Sequence, residues 1–474
     1  MRKILIVGGG YAGFYTAWKL EKHLRRGEAE VTLVDPRGYM TYQPFLPEVA
    51  AGSVEARHAI VSLRAHLHTT RVVAAFATSV DHAHKRVLVR TLDGRTHRVD
   101  YDILVVTAGA VTRTFPIPGL TDQAFGMKTV EEAVAVRDRL LVAFDKAAQL
   151  PAGPERSAAL TITVVGGGFT GVELFGELLQ LATSLLRPYP ELSVADPSFH
   201  LVEASGRILP EVTEDQGRWV VRDLEKRGGT VHLNTQVVSA TDGRVVLSTG
   251  EVLDTGLLVW AAGNGANPVV ARHTDLPVDE RGRVRVRADL RVVDAVGQIV
   301  PDAWAAGDDA AVPDLAVRVP GAMTVPNAQH AVRQGQRLAK NLLASLRGRE
   351  PRPYIHHSLG VVATLGLGHG IFQYPFGRGH GIVVRGRLGW LMHRGYHVLA
   401  VPTWQRKVQV LAVWLSAALF GRDIVPLPSI ERPRQAIQAG GDPDVVLPPR
   451  AVSGPDAAAV MNRNHEPVGA GDAR

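Results

Sequence analysis

Short runs of valine, isoleucine and leucine recur along the chain, each followed by a stretch whose apolar positions return every three or four residues. The runs read as strands buried on both faces of a parallel sheet, and the stretches between them as the helices that cover it. The first run, Ile4-Leu5-Ile6-Val7, passes straight into Gly8-Gly9-Gly10 and a helix predicted over residues 14–24. A second strand, Val31-Thr32-Leu33-Val34, ends in Asp35. The unit then recurs: Ile162-Thr163-Val164-Val165 leads into Gly166-Gly167-Gly168, and Phe199-His200-Leu201-Val202 ends in Glu203. The expected architecture is α/β, with two Rossmann-like dinucleotide-binding domains and a C-terminal membrane-associating segment.

Each glycine turn has a physical purpose. In Gly8-x-Gly10-x-x-Gly13 the first glycine makes the tight turn, the second lets backbone approach a pyrophosphate, and the third lets helix pack on strand. The helix that follows offers free N–H groups and a positive dipole end to phosphate. Gly166-x-Gly168-x-x-Gly171 has the same spacing. Asp35 and Glu203 stand where a ribose hydroxyl pair needs an acceptor. The longer distance to Glu203 reflects an inserted loop from Leu186 to Pro197.

At 474 residues the chain is too long for one core, and the motifs divide it. Residues 1–150 are expected to begin the first dinucleotide-binding domain and 151–270 to form the second, with Pro151-Ala152-Gly153-Pro154 as the crossing. Residues 271–350 would return to the first domain, 351–430 would anchor the protein to a membrane, and 431–474, rich in Gly, Pro, Ala and Asp, read as disordered. Cysteine is absent, which excludes thiol nucleophiles, thiolate metal sites and the redox-active pair of the disulfide reductases. His356 and His357 lack a third ligand, so no metal site is expected. The net charge of +7 suits nucleic acid or an anionic membrane, and no nucleic-acid recognition module accompanies it.

From Met1 to about Leu427 the chain resembles the type II NADH:quinone oxidoreductases, single-chain respiratory flavoenzymes that do not pump protons. The likeness rests on Gly8 to Gly13, on Pro44-Phe45-Leu46-Pro47-Glu48-Val49-Ala50, on Thr107-Ala108-Gly109-Ala110, on Gly166 to Glu173, and on Ala306-Gly307-Asp308. It implies FAD at the first turn and NADH at the second. It also implies a domain crossover at Ala108 and Gly109, and a ribityl contact from Asp308 beside Gly307. Asp309 reads as structural. Glu173, two residues past the second turn, would lie near the nicotinamide and relay a proton, and Gln329 would hydrogen-bond a quinone carbonyl. The family's Ala-Gln-x-Ala-x-Gln motif appears as Ala328-Gln329-His330-Ala331, but Arg333 takes the second glutamine's place and Gln334 follows it. A soluble NADH-dependent reductase of ferredoxin or rubredoxin, and a redox-sensing flavoprotein with slow turnover, remain open beside this reading.

The C-terminal segment carries the expectation of a membrane. Residues 351–422 contain no Asp or Glu and eight basic residues: Arg352, Arg378, Arg385, Arg387, Arg394, Arg406, Lys407 and Arg422. An apolar helix is predicted over Val408–Phe420; its length of about 20 Å is too short to span a bilayer and suits its interface. Each basic residue near an anionic leaflet adds about 1 kcal/mol. The expected placement is peripheral and monotopic on the cytoplasmic face, since Met1-Arg2-Lys3 runs directly into the first strand without a secretory signal. The expected partners are NADH, a membrane quinone and an anionic membrane surface, with no nucleic acid; a homodimer is compatible with the sequence.

Overall fold

The computed structural model describes residues 1–317, 319–374, 381–422 and 424–426. The tail expected to be disordered, 431–474, and Arg378 lie outside the described residues. β1 (Arg2–Val7), α1 (Tyr11–Glu21) and β2 (Ala29–Asp35) form the first strand–turn–helix–strand unit. Ile4 to Val7 are fully buried, as a strand covered on both faces requires. α1 begins three residues before the predicted start, because Phe14 N already donates to Gly10 O at 2.8 Å.

The first sheet has eight strands, in the spatial order Arg291–Val293, Ile299–Ala305, Ile103–Val106, β1, β2, Arg71–Asp81, Arg86–Thr91, Thr96–Asp100. Its centre is parallel, with Val7 opposite both Val34 and Val106. Both edges are antiparallel. The strand at 299–305 returns to this sheet after the second one has been built.

β3 (Thr161–Val165), α2 (Phe169–Leu185) and β4 (Ser198–Val202) repeat the unit. They sit in a five-stranded parallel sheet ordered Ala124–Phe125, Leu257–Trp260, β3, β4, Gly229–His232. A short ribbon pairing Ala110–Thr112 with Asn264–Ala266 ties the two sheets together. α3 (Ala328–Leu346) crosses α1 so closely that a Cβ on Gly335 would lie 2.4 Å from the Ala12 carbonyl oxygen.

The C-terminal segment adds β5 (Val361–Thr364), antiparallel to Gly370–Tyr374, and that strand to Ile382–Arg385. Two helices follow, α4 (Gly386–Ala400) and α5 (Trp404–Phe420). α5 starts four residues before the predicted Val408. Its first turn, Trp404-Gln405-Arg406-Lys407, is mostly polar and breaks the apolar pattern, while the Thr403 hydroxyl caps it by accepting from Arg406 N. Among the described residues, no helix is long and apolar enough to cross a membrane.

Candidate functional site

The two glycine turns are built on the same plan. Gly8 has φ +101° and Gly166 φ +117°, in the region that disfavours side chains. A Cβ on Gly8 would strike Thr107 O at 2.2 Å, and one on Gly13 would strike Gly8 O at 1.9 Å. Gly171 meets Gly166 O at the same 1.9 Å. The middle glycines differ: nothing lies within 4 Å of a Cβ on Gly10 or Gly168. Each of these two is the N-cap of its helix, and neither helix has a side-chain cap or an acid in its first turn. Two uncapped N-termini therefore face open space over a bare backbone, the arrangement a pyrophosphate needs.

Asp35 and Glu203 first serve the turns themselves. Asp35 Oδ2 accepts from Gly9 N at 2.7 Å and Oδ1 from Arg37 N at 2.7 Å. Glu203 Oε2 accepts from Gly167 N at 2.5 Å and Oε1 from Ser205 N at 2.7 Å. Each carboxylate has lone pairs left for a ribose. Burial raises Asp35 above its ordinary value, against the pull of those two N–H groups.

The crossover residues lie where the sheets meet. Ala108 O accepts from Asn267 Nδ2 at 3.2 Å and Gly109 O from Asn267 N at 3.0 Å. Gly307 has φ +96°, and its N–H donates to Gln334 Oε1 at 2.8 Å. Gln334 is buried, and its amide nitrogen donates to Thr324 Oγ1 at 3.1 Å, so it braces the Gly307 turn and does not face an acceptor pocket. Burial raises Asp308, and the Lys128 ammonium opposes that. Asp309 is fully buried; burial, then Asp308 beside it, pushes it up to about 8, against nearby backbone N–H groups.

Glu173 and Gln329 do not touch, but one strand connects them. Glu173 Oε1 accepts from Thr364 N at 3.1 Å, at the end of β5. Gln329 Nε2 donates to Gly360 O at 3.2 Å, just before β5 begins. Four residues of strand put those contacts about 13 Å apart. Arg333 Nη1 donates to Gln329 O at 3.1 Å. His330 Nδ1 pairs with the Tyr354 hydroxyl at 2.9 Å, and His356 packs on His330 with centroids 5.6 Å apart. Burial, then Arg333, lowers His356 to about 4. Among the described residues, the group of three potential metal ligands is His200, His232 and Glu251, elsewhere in the fold. There His200 Nδ1 and His232 Nε2 already bond each other at 2.9 Å.

Sequence reasoning missed a buried charged cluster behind this site. Glu48, 0% exposed, accepts from Trp414 Nε1 at 2.7 Å and stands 3.5 Å from Arg394 Nη2. Burial raises Glu48, and the Arg394 guanidinium opposes it. Glu177, equally buried, accepts from Thr364 Oγ1 at 3.0 Å and pairs with Arg422 Nη2 at 3.2 Å. Arg394 is also stacked between Trp390 at 4.4 Å and Trp414 at 4.3 Å. Arg385 donates to Gln216 Oε1 at 2.7 Å. Three of the arginines expected to meet a membrane are thus committed to the protein itself. The available signals were Glu177, one helical turn beyond Glu173, and Glu48 within the Pro44–Ala50 run.

The pyridine nucleotide-disulphide oxidoreductase family model matches residues 2–335. A type II NADH:quinone oxidoreductase of Staphylococcus aureus is 31% identical over 78% of this chain and 89% of its own length. The chain belongs to this family of type II NADH:quinone oxidoreductases. A probable NADH dehydrogenase of Dictyostelium discoideum is 28% identical over 89% of the chain and 90% of its own length. In fold, this type II oxidoreductase is similar to the NDH2 of Plasmodium falciparum in complex with NADH, with a TM-score of 0.79 at 20% identity. That match covers 90% of this chain and 99% of the other. The open space over Gly10 and Gly168 is of the kind a dinucleotide's phosphates need.

Proposed function

We infer that the protein oxidises NADH at bound FAD and passes two electrons to a membrane quinone, without pumping protons. The observation that carries this reading is the pair of uncapped glycine turns in a chain of this family. FAD, when bound, accepts hydride from NADH and supplies the two electrons to the quinone. The first sheet and its turn at Gly8, Gly10 and Gly13 would hold FAD, with Asp35 at the ribose, Gly307 and Asp308 at the ribityl chain, and Ala108 and Gly109 at the crossover. The second sheet, with Gly166, Gly168, Gly171 and Glu203, would hold NADH. Glu173 would supply a proton and Gln329 would hydrogen-bond the quinone; Thr364, ending β5, and Gly360, just before it, each bond one of the two side chains.

A peripheral site on the cytoplasmic face of the cell membrane belongs to the same proposal. Trp404, Val408, Leu411, Leu415 and Leu419 form one stripe of α5 and are 81%, 62%, 51%, 63% and 68% exposed. Leu388, Leu391 and Leu399 of α4 are exposed as well. Half-burying each of the five α5 side chains in lipid would contribute about 1 kcal/mol apiece. Arg394 and Arg422 pair with Glu48 and Glu177 inside the protein and Arg385 bonds Gln216, so the apolar stripe adds to a reduced basic charge.

The test compares steady-state NADH oxidation with a quinone, ferricyanide and ferredoxin in one preparation of the yellow holoprotein. Turnover with quinone and ferricyanide but not ferredoxin is expected. Ferredoxin as the better acceptor would replace this reading with a soluble reductase, and negligible turnover with all three would replace it with a redox sensor.

A further inference from the structure

Between α2, α4 and the loop before Glu48 lies a file of buried polar side chains that hydride transfer does not use. It starts at Glu173. His393, 0% exposed, has its Nε2 3.4 Å from Glu173 Oε1. One helical turn along α4, His397 presses its ring on that of His393, centroids 4.4 Å apart at 63°. His397 Nδ1 and the Tyr42 hydroxyl share a hydrogen bond of 2.9 Å. The Tyr42 ring in turn meets the ring of Tyr11, first residue of α1, at 6.0 Å. Neither ring nitrogen of His393 has a hydrogen-bond partner, and neither does the Tyr11 hydroxyl.

The Glu173 carboxylate is the polar group His393 faces, yet no hydrogen bond fixes either imidazole nitrogen. Buried polar atoms are normally paired, and an unpaired one costs stability. Spacing of four residues places both imidazoles on one face of α4, one at Glu173 and the other at Tyr42. Burial, then His393, holds His397 well below the ordinary histidine range, so it is neutral at rest, with one nitrogen a donor and the other an acceptor. A neutral imidazole in that state can pass a proton on without keeping the charge. The other titratable groups facing the pair are Glu48 and Arg394 near His393, and Tyr396, whose ring is 5.0 Å from that of His397.

We propose that Glu173, His393, His397 and Tyr42 form a proton relay that serves reduction of the quinone; it rests on the NADH:quinone reading above. A proton leaves Glu173 Oε1 for His393 Nε2, and His393 gives its Nδ1 proton to His397 Nε2. His397 gives its Nδ1 proton to Tyr42 Oη, which releases its own proton toward a reduced quinone oxygen. Only protons move. Glu173 ends ionised, the quinone oxygen gains one proton, and both imidazoles end neutral in the opposite tautomer. Rotation of the two rings, already in contact, makes the handover and then restores the starting tautomers; solvent reprotonates Glu173.

His393→Leu separates the relay from a structural role. A purely structural role as the partner of Glu173 predicts unchanged reoxidation kinetics and a lower Tm. The relay predicts a folded variant with parental FAD binding and parental flavin reduction by NADH. Its reoxidation by quinone should be slower by about tenfold or more, with a larger solvent deuterium isotope effect. His397→Gln, which can still hydrogen-bond Tyr42, should show the same split. Independently of turnover, nitrogen-15 NMR of histidine-labelled holoprotein should find His397 neutral between about pH 5 and 8, with tautomer signals that shift on Glu173→Gln. Parental reoxidation in His393→Leu, or His397 signals indifferent to Glu173→Gln, overturns the relay. Failure of NADH to reduce the parent's flavin overturns the NADH:quinone reading instead.

Discussion

Glu203→Gln removes one charge from the end of β4 and leaves an acceptor oxygen in its place. The carboxylate holds Gly167 N and Ser205 N, so truncation to alanine would loosen the turn for any nucleotide, whereas glutamine keeps one of those bonds. A 2′-phosphate about 4 Å from the carboxylate is repelled by about 4 kcal/mol per unit charge at an effective dielectric of 20. Glu203 is half-exposed, and solvent screening reduces that to about 1–2 kcal/mol. The ratio of kcat/KM values, NADPH over NADH, should therefore rise about 5- to 30-fold in the variant at low ionic strength. Arg207 does not offset the repulsion, because its guanidinium is committed to the carbonyls of Leu209 and Val212. Initial rates with each cofactor, at low salt and again at high salt, check this. Equal use of both cofactors by the parent, or an unchanged ratio in a folded Glu203→Gln, would refute the reasoning.

Glu173→Gln should still take hydride from NADH in stopped flow but be reoxidised by quinone about a hundredfold more slowly, as loss of a proton donor requires. Gln329→Ala should raise the KM for quinone several-fold and leave ferricyanide reduction unchanged. Leu411→Glu with Leu415→Glu should weaken binding to anionic liposomes by about tenfold or more, while 1 M salt releases the parent only partly. Asp309 is raised in the fold from its ordinary 3.8 to about 8, so its contribution to stability is complete below 3.8 and is lost as pH rises towards 8. Asp309→Asn should flatten that fall, read from chemical denaturation between about pH 5 and 8.

The strand–turn–helix units were legible because local chemistry settles them: buried β-branched runs, glycines that only a tight turn requires, and an acid at the next strand's end. The inward role of Arg394 and Arg422 was not. Their partners, Glu48 and Glu177, lie 346 and 245 residues earlier, and nothing local to an arginine tells a buried carboxylate from a lipid headgroup. Gln334 was equally opaque, since its side chain turns towards Gly307, 27 residues earlier, and away from the position a motif would give it. His393 and His397 stood at helical spacing in plain view. Their significance depends on Glu173 and Tyr42, brought to them by two other parts of the chain.

The partners of Glu48, Glu173 and Glu177 include Thr364, His393, Arg394, Trp414 and Arg422, all beyond residue 350. Shortening the chain there would therefore do more than remove an exposed apolar stripe. It would uncover three carboxylates at once, along with the surface at Gly176, where the backbone of Leu365 fits so closely that a Cβ would lie 2.6 Å from it. Charged substitutions along the outward stripe of α5 test the stripe itself more cleanly. They leave the inward side of the segment, and every contact it makes with the nucleotide-binding sheets, in place.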